Sequence, residues 1–254
     1  HGINAHPWAP GDSESSLGHF ALGAPYDKTM YPCAVYDFPW RSGVDEITLS
    51  GDSELASRIL EFVNGAVRMH GDTPAVIIAH SAGGFLGRMY AKHGSVDGWS
   101  KLFLLSSPQY GSDLANMVAT DMANAWKVAL DTSDFNLEVL KRGSEQVWNM
   151  HGWGLAHPDR VVCIGGTDPE YSGVTGIWRF SLEYTRGMQY SDGIVPVTSM
   201  NLKSLDPSVP FLTVPMNHAR ISHFTTNIKS DDPGLVLKDE VYGIVRQHIP
   251  NHLN

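Results

Sequence analysis

An α/β fold, with a mostly parallel central sheet and helices on both faces, is the fold class this sequence predicts. Short apolar, strand-like runs alternate with longer segments whose apolar residues recur roughly every three to four positions. Parallel strands joined by crossover helices require that alternation. One junction between the two patterns is sharply marked. The apolar run Pro74-Ala75-Val76-Ile77-Ile78 passes through Ala79-His80-Ser81-Ala82-Gly83-Gly84 into a helical pattern, with Phe85, Leu86, Met89 and Tyr90 apolar and Arg88 and Lys92 between them. Size agrees as well. The 254 residues, 42% hydrophobic and 18% charged, suffice for a single well-buried α/β domain over 1–254.

Residues 4–30 are rich in Gly, Pro, Ser and Asp and read as a long loop. A strand is expected over 31–38, with Pro32 near its start. Residues 49–51 lead into a helix with Ser50 or Asp52 as N-cap and with Leu55, Ile59, Leu60, Phe62, Val63 and Val67 on its apolar face. Gly71-Asp72-Thr73-Pro74 breaks that helix. After the marked strand and its helix, which Gly94 ends, Lys101-Leu102-Phe103-Leu104-Leu105 predicts a third strand stopping at Ser106-Ser107-Pro108. Residues 113–150 then show a helical pattern rich in Met, Trp, Leu and Val. Such a segment suits either a lid or pocket wall above the sheet edge or a helix pair packed on the core. A fourth strand over 161–164 is stopped by Gly165-Gly166, and an irregular stretch with Tyr171, Trp178, Phe180, Tyr184 and Tyr190 follows. Residues 210–214 form a short strand leading to Asn217-His218, and 236–249 a closing helix. No internal repeat or low-complexity tract is present.

The charge balance excludes some partners. With 27 acidic and 18 basic residues the formal net charge is -9, and no basic cluster stands out, which argues against nucleic acid. No apolar run approaches the about 20 residues of a membrane span. The first residues are not a basic segment followed by an apolar one, and the chain begins without methionine, which reads as a mature, trimmed or excised form. Cys33 and Cys163 lie in apolar runs and are expected as free, buried thiols. No H-E-x-x-H or comparable ligand cluster appears, so neither a metal nor a cofactor is expected. A first-position histidine could chelate copper with its own amine and His6 or His80, but nothing else in the sequence supports this. Nothing separates a secreted from a cytoplasmic protein.

Ser81 carries the chemical signal. A strand, a sharp turn with small residues around a serine, and then a helix form the setting of a nucleophile elbow. The plainer reading is a serine that caps the helix. A serine nucleophile needs a base, and the base an orienting acid, which on this architecture follow later in the order serine, acid, histidine. His218 stands a short loop after an apolar strand, where a base belongs, with His223 as the alternative. His248 and His252 fall in or after the last helix and read as surface residues. His80 adjoins the serine, but its side chain points elsewhere from an elbow, so a packing or hydrogen-bonding role is expected. Asp192, in Ser191-Asp192-Gly193-Ile194-Val195-Pro196, is the favoured acid; Asp168, in Gly166-Thr167-Asp168-Pro169, follows a strand directly and competes.

Five blocks, in order, carry a resemblance. His1-Gly2-Ile3 is similar to an H-G segment placed after a central strand. Ala79-His80-Ser81-Ala82-Gly83-Gly84 is similar to an A-H-S-x-G elbow. Ser107-Pro108-Gln109-Tyr110-Gly111-Ser112 is similar to a segment preceding a lid, Ser191-Asp192-Gly193-Ile194-Val195 to a block carrying an acid, and Asn217-His218 to the N-H carrying a base. Together they resemble the bacterial true lipases of the α/β-hydrolase superfamily. The resemblance implies Ser81 as nucleophile, His218 as general base and Asp192 as its orienter. It also implies an oxyanion hole from the backbone N–H groups of Ile3 and Ala82, and a helical lid within 113–150. The implied activity is hydrolysis of carboxylic esters with an apolar acyl chain through an acyl-serine, with transient contact at a lipid interface. An acyltransferase using the same intermediate, or a silent binding protein on the same fold, are the alternatives. Ala219-Arg220 stand where some of these lipases carry a calcium-binding aspartate, so no such calcium site is expected. The H-G segment normally ends a buried central strand, so upstream strand residues are expected to belong to the complete protein.

Overall fold

A computed structural model of the chain describes residues 38, 54–118, 140–168, 190–218, 241, 243–245 and 247–249. Along these residues run α1 (Glu54–Met69), β1 (Ala75–His80), α2 (Gly83–His93), β2 (Trp99–Leu105), α3 (Asp113–Val118), α4 (Glu145–Gly152), β3 (Val161–Gly166), α5 (Val197–Met200) and β4 (Phe211–Val214). The described strands form one sheet in the order β1-β2-β3-β4, and every neighbouring pair is parallel. The register sets His80 beside Leu105, Leu105 beside Ile164, and Gly166 beside Val214. All four strands therefore end at one edge, and the segments leaving that edge are the ones that can share a site.

The apolar runs of the central strands β2 and β3 are continuous rather than alternating because both of their faces are buried. On one face Leu102, Leu104, Val161 and Cys163 pack with Leu55 and Ile59 of α1 and Phe85, Leu86 and Met89 of α2. On the other, Phe103, Leu105, Val162 and Ile164 pack with Val214, Met216, Val241 and Val245. The described positions 241, 243–245, 247 and 248 are helical, so the expected closing helix covers the second face.

The helical pattern over 113–150 is not one helix. Gly143 adopts a left-handed φ of 77° and Ser144 starts α4 afresh, its hydroxyl accepting the N–H of Val147 at 3.2 Å. Val147 and Met150 bury α4 against the first core face. Residues 119–139, the middle of the expected lid, lie outside the described residues, as do Ser50 and Asp52, Cys33 and the expected strand at 31–38 except Phe38. The Phe38 ring meets Phe62 edge-on at 5.3 Å. α5 lies beyond the stretch read as irregular and was not expected, because four residues are too few to show a helical period. Among the described residues no helix is long and apolar enough to cross a membrane.

Phe103 is fully buried on the second face. Phe103→Ala is expected to cost about 3–5 kcal/mol. Urea unfolding should show this as a lower midpoint at an unchanged slope.

Candidate active site

Ser81 leaves β1 with a φ of 54°, in the left-handed region. Its N–H donates to the Leu105 carbonyl at 3.0 Å, extending the β1–β2 ladder by one step, and its own carbonyl accepts the N–H of Gly84 at 3.0 Å as α2 begins. The tight reversal demands small residues nearby. A Cβ at Gly87 would come within 2.8 Å of Leu102 and 3.2 Å of the Ala79 side chain, so Gly87 and Ala79 let α2 lie close on the sheet. Ala82 is fully buried at the start of α2, where backbone N–H groups lack intrahelical acceptors.

The structure brings Ser81, His218 and Asp192 together. His218 is the fourth residue after β4 and stands at the sheet edge. Its Nδ1 lies 2.7 Å from Asp192 Oδ2, and its Nε2 lies 2.9 Å from Ser81 Oγ. A carboxylate can only accept, so Nδ1–H is the donor, and Nε2 is left to accept from the serine hydroxyl. Asp192 is fully buried, and its other oxygen accepts the backbone N–H groups of Ile194 at 3.0 Å and Val195 at 2.7 Å. The His218 N–H donates to the Asp192 carbonyl at 2.9 Å, so backbone and side chain both tie base to acid. Gly166 permits this approach: a Cβ there would collide with the Met216 carbonyl and come within 2.8 Å of the Asp192 Cβ.

Asp168, the competing acid, meets this cluster through its backbone N–H, which donates to the Met216 carbonyl at 3.1 Å. His248 is bonded to the Ile244 carbonyl within the closing helix. His1, His6, His223, His252 and Ile3, the expected second oxyanion donor, lie outside the described residues. Among the described residues, no three His, Cys, Asp or Glu side chains gather as a metal site.

No protein-family description and no curated protein matches the chain. Solved structures do. Lipase BlEst2 of Bacillus licheniformis in its mature form matches with a TM-score of 0.57 at 14% identity, over 76% of this chain and 72% of that one. Its propeptide form matches with a TM-score of 0.54 at 17% identity, over 73% of this chain and 40% of that one. Phospholipase PlaB of Legionella pneumophila matches with a TM-score of 0.51 at 16% identity, over 92% and 61%. The chain spans less than two thirds of the propeptide form and of PlaB.

The chain has the α/β-hydrolase fold. In that fold the edge that carries Ser81 also collects the loops after β2, β3 and β4. Ser106, after β2, adopts a left-handed φ of 44°, and its hydroxyl accepts the Gly166 N–H at 3.2 Å, which pins the end of β3. Cys163 is a free, buried thiol in β3, pushed up to about 12 by burial.

His80 has the hydrogen-bonding role expected of it. It is buried, its ring centroid lies 4.8 Å from that of His218, and its Nε2 donates to the His218 carbonyl at 3.0 Å. Burial, and then the neighbouring His218, hold His80 well below its ordinary 6.5. The folded chain thus keeps His80 neutral while the unfolded chain protonates it, so the unfolded state binds more protons below about pH 6.5. Stability is full above that value and falls as the pH drops from there toward the lower folded pKa. His80→Gln, which keeps a donor for the His218 carbonyl, is expected to flatten this fall. Urea unfolding at about pH 7 and about pH 5, on both proteins, measures it.

Proposed function

We propose that this chain hydrolyses carboxylic esters of lipid type through an acyl-serine intermediate. The observation that carries the reading is the continuous chain of hydrogen bonds from buried Asp192 through His218 to Ser81 at the strand edge, 2.7 and 2.9 Å long. An isolated serine hydroxyl is a weak nucleophile. Here His218 Nε2 stands where it can take the hydroxyl proton as Oγ attacks the ester carbonyl, and the imidazolium that forms faces Asp192. His218 then returns the proton to the leaving alcohol. Water repeats the sequence on the acyl-serine, with His218 as its base, and frees the acid.

Ala82 N–H is one donor to the developing oxyanion in this reading, and Ile3 N–H supplies the second. A pre-aimed donor of this kind contributes roughly 3–4 kcal/mol to the transition state. The similar structures are a lipase and a phospholipase, which supports an ester with an apolar acyl chain as substrate.

A fluorophosphonate probe and p-nitrophenyl esters of short and long chain test the reading. Labelling and turnover are expected in the natural sequence and lost in Ser81→Ala; a folded chain that takes no probe overturns it. Asp192→Asn should leave the protein folded and lower kcat about 10³–10⁴-fold, since the neutral amide no longer sets the histidine tautomer. Release of free acid unchanged by an added alcohol supports hydrolysis, whereas dominant transfer to that alcohol would make the chain an acyltransferase.

A further inference from the structure

Three buried side chains form a chain of hydrogen bonds leading to the backbone of Ser81, and the reaction proposed above uses none of them. The Ser81 carbonyl accepts the Ser107 hydroxyl at 2.8 Å. Ser107 Oγ in turn accepts Gln109 Nε2 at 2.5 Å. Gln109 Oε1 accepts Arg88 Nη1 at 3.1 Å. Arg88 Nη2 donates to the carbonyls of Met150 at 3.0 Å and Gly154 at 3.1 Å. Arg88, Ser107 and Gln109 are each at most 3% exposed.

The direction of every bond follows from the guanidinium. Arginine has donors and no acceptor, so Gln109 must turn its carbonyl oxygen toward Arg88 and its amide nitrogen toward Ser107. That nitrogen occupies an acceptor site of the Ser107 hydroxyl, whose single hydrogen is left for the Ser81 carbonyl. Arg88 meets three neutral oxygens in these contacts. Burial draws its pKa down to about 10, which still leaves it charged near neutral pH.

An independent feature points to the same device. A Cβ at Gly84 would collide with the Ser107 side chain and stand 3.0 Å from Gln109 Nε2. The second glycine of the elbow thus makes room for Ser107 and Gln109, whereas Gly87 is the residue that brings helix and sheet together. Arg88 itself sits on α2, the helix that Ser81 introduces. The bonds therefore close a loop from the elbow through the segment after β2 and back to α2, with α4 tied in through Met150.

We propose that Ser107, Gln109 and Arg88 are a positioning relay that holds the Ser81 backbone in the left-handed conformation from which its hydroxyl meets His218. The inference rests on the reading of Ser81 as nucleophile. None of the three side chains is assigned contact with the reacting atoms. They act through the Ser81 carbonyl, so their loss is felt in the chemical step rather than in substrate affinity.

Ser107→Ala removes the hydroxyl that holds the carbonyl. Gln109→Glu keeps the size and gives Arg88 a carboxylate, but it offers Ser107 no donor and invites its hydroxyl to turn away from Ser81. Three quantities are measured on the full chain and these variants: melting temperature, the rate of fluorophosphonate labelling at Ser81, and kcat and KM on a p-nitrophenyl ester. Both variants are expected to melt cooperatively, with Gln109→Glu no less stable than the natural sequence. Labelling rate and kcat should each fall about 10–100-fold, as for a nucleophile displaced by a fraction of an ångström to an ångström, while KM stays within about two-fold. The double variant should lose no more than the worse single one, because both break the same chain. Unchanged labelling in a folded Ser107→Ala, or losses that multiply in the double variant, would overturn the relay while leaving the serine-hydrolase reading intact. If Gln109→Glu does not fold, Ser107→Ala decides alone. A folded natural chain that takes no probe overturns that reading and the relay with it.

Discussion

The left-handed backbone at Ser81 is the constraint on which the rest of this site depends. A non-glycine residue there costs on the order of 1–3 kcal/mol and persists only where its surroundings over-determine it. Three bonds do so: the N–H to the Leu105 carbonyl, and the carbonyl shared between Gly84 N–H and the Ser107 hydroxyl. The first belongs to the sheet itself, since Leu105 is already the register partner of His80. The elbow is therefore an extension of β1–β2 pairing, and its geometry is as firm as the buried strands beneath it.

The other half of the site obeys the same logic from the opposite side. Asp192 and His218 come from two loops, yet each loop is anchored to the end of a strand. Gly166 closes β3 against both the Met216 carbonyl and the Asp192 side chain, so the loops touch without an intervening gap. His80 adds a strut between the halves, because the residue before Ser81 donates to the carbonyl of His218. A neutral imidazole suits that position. It supplies the donor without placing a second buried charge 4.8 Å, ring to ring, from the proposed base.

Much of this architecture was legible along the chain. The continuous apolar runs of β2 and β3 and the three-to-four spacing in α1 and α2 follow from burial on both sheet faces, and burial leaves its period in the sequence. The elbow was legible because its turn demands small residues beside a serine. Shorter or interrupted elements were not: α5 has no full period to display, and the break before α4 rests on a single glycine and a capping serine. Nor did the sequence show the place of Arg88, which stands between apolar residues of α2: α4 and the segment after β2 cover that side of the helix and bury it.

Taken by itself, the sequence determined the α/β alternation, the position of the elbow and a short roster of partners for Ser81. These features are local: a strand, a turn and a helix each impose a pattern on consecutive residues. Tertiary structure decided between Asp192 and Asp168 as the carboxylate on His218, and seated the His80 ring against that histidine. It also aligned Arg88, Gln109 and Ser107 on one carbonyl. The physical reason is that Asp168 directly follows β3 and Asp192 sits in a turn before α5, and a turn pattern carries no record of which distant side chain it will face. Only the parallel register of four strands, which delivers their ends to one edge, brings residues 81, 192 and 218 within hydrogen-bonding distance.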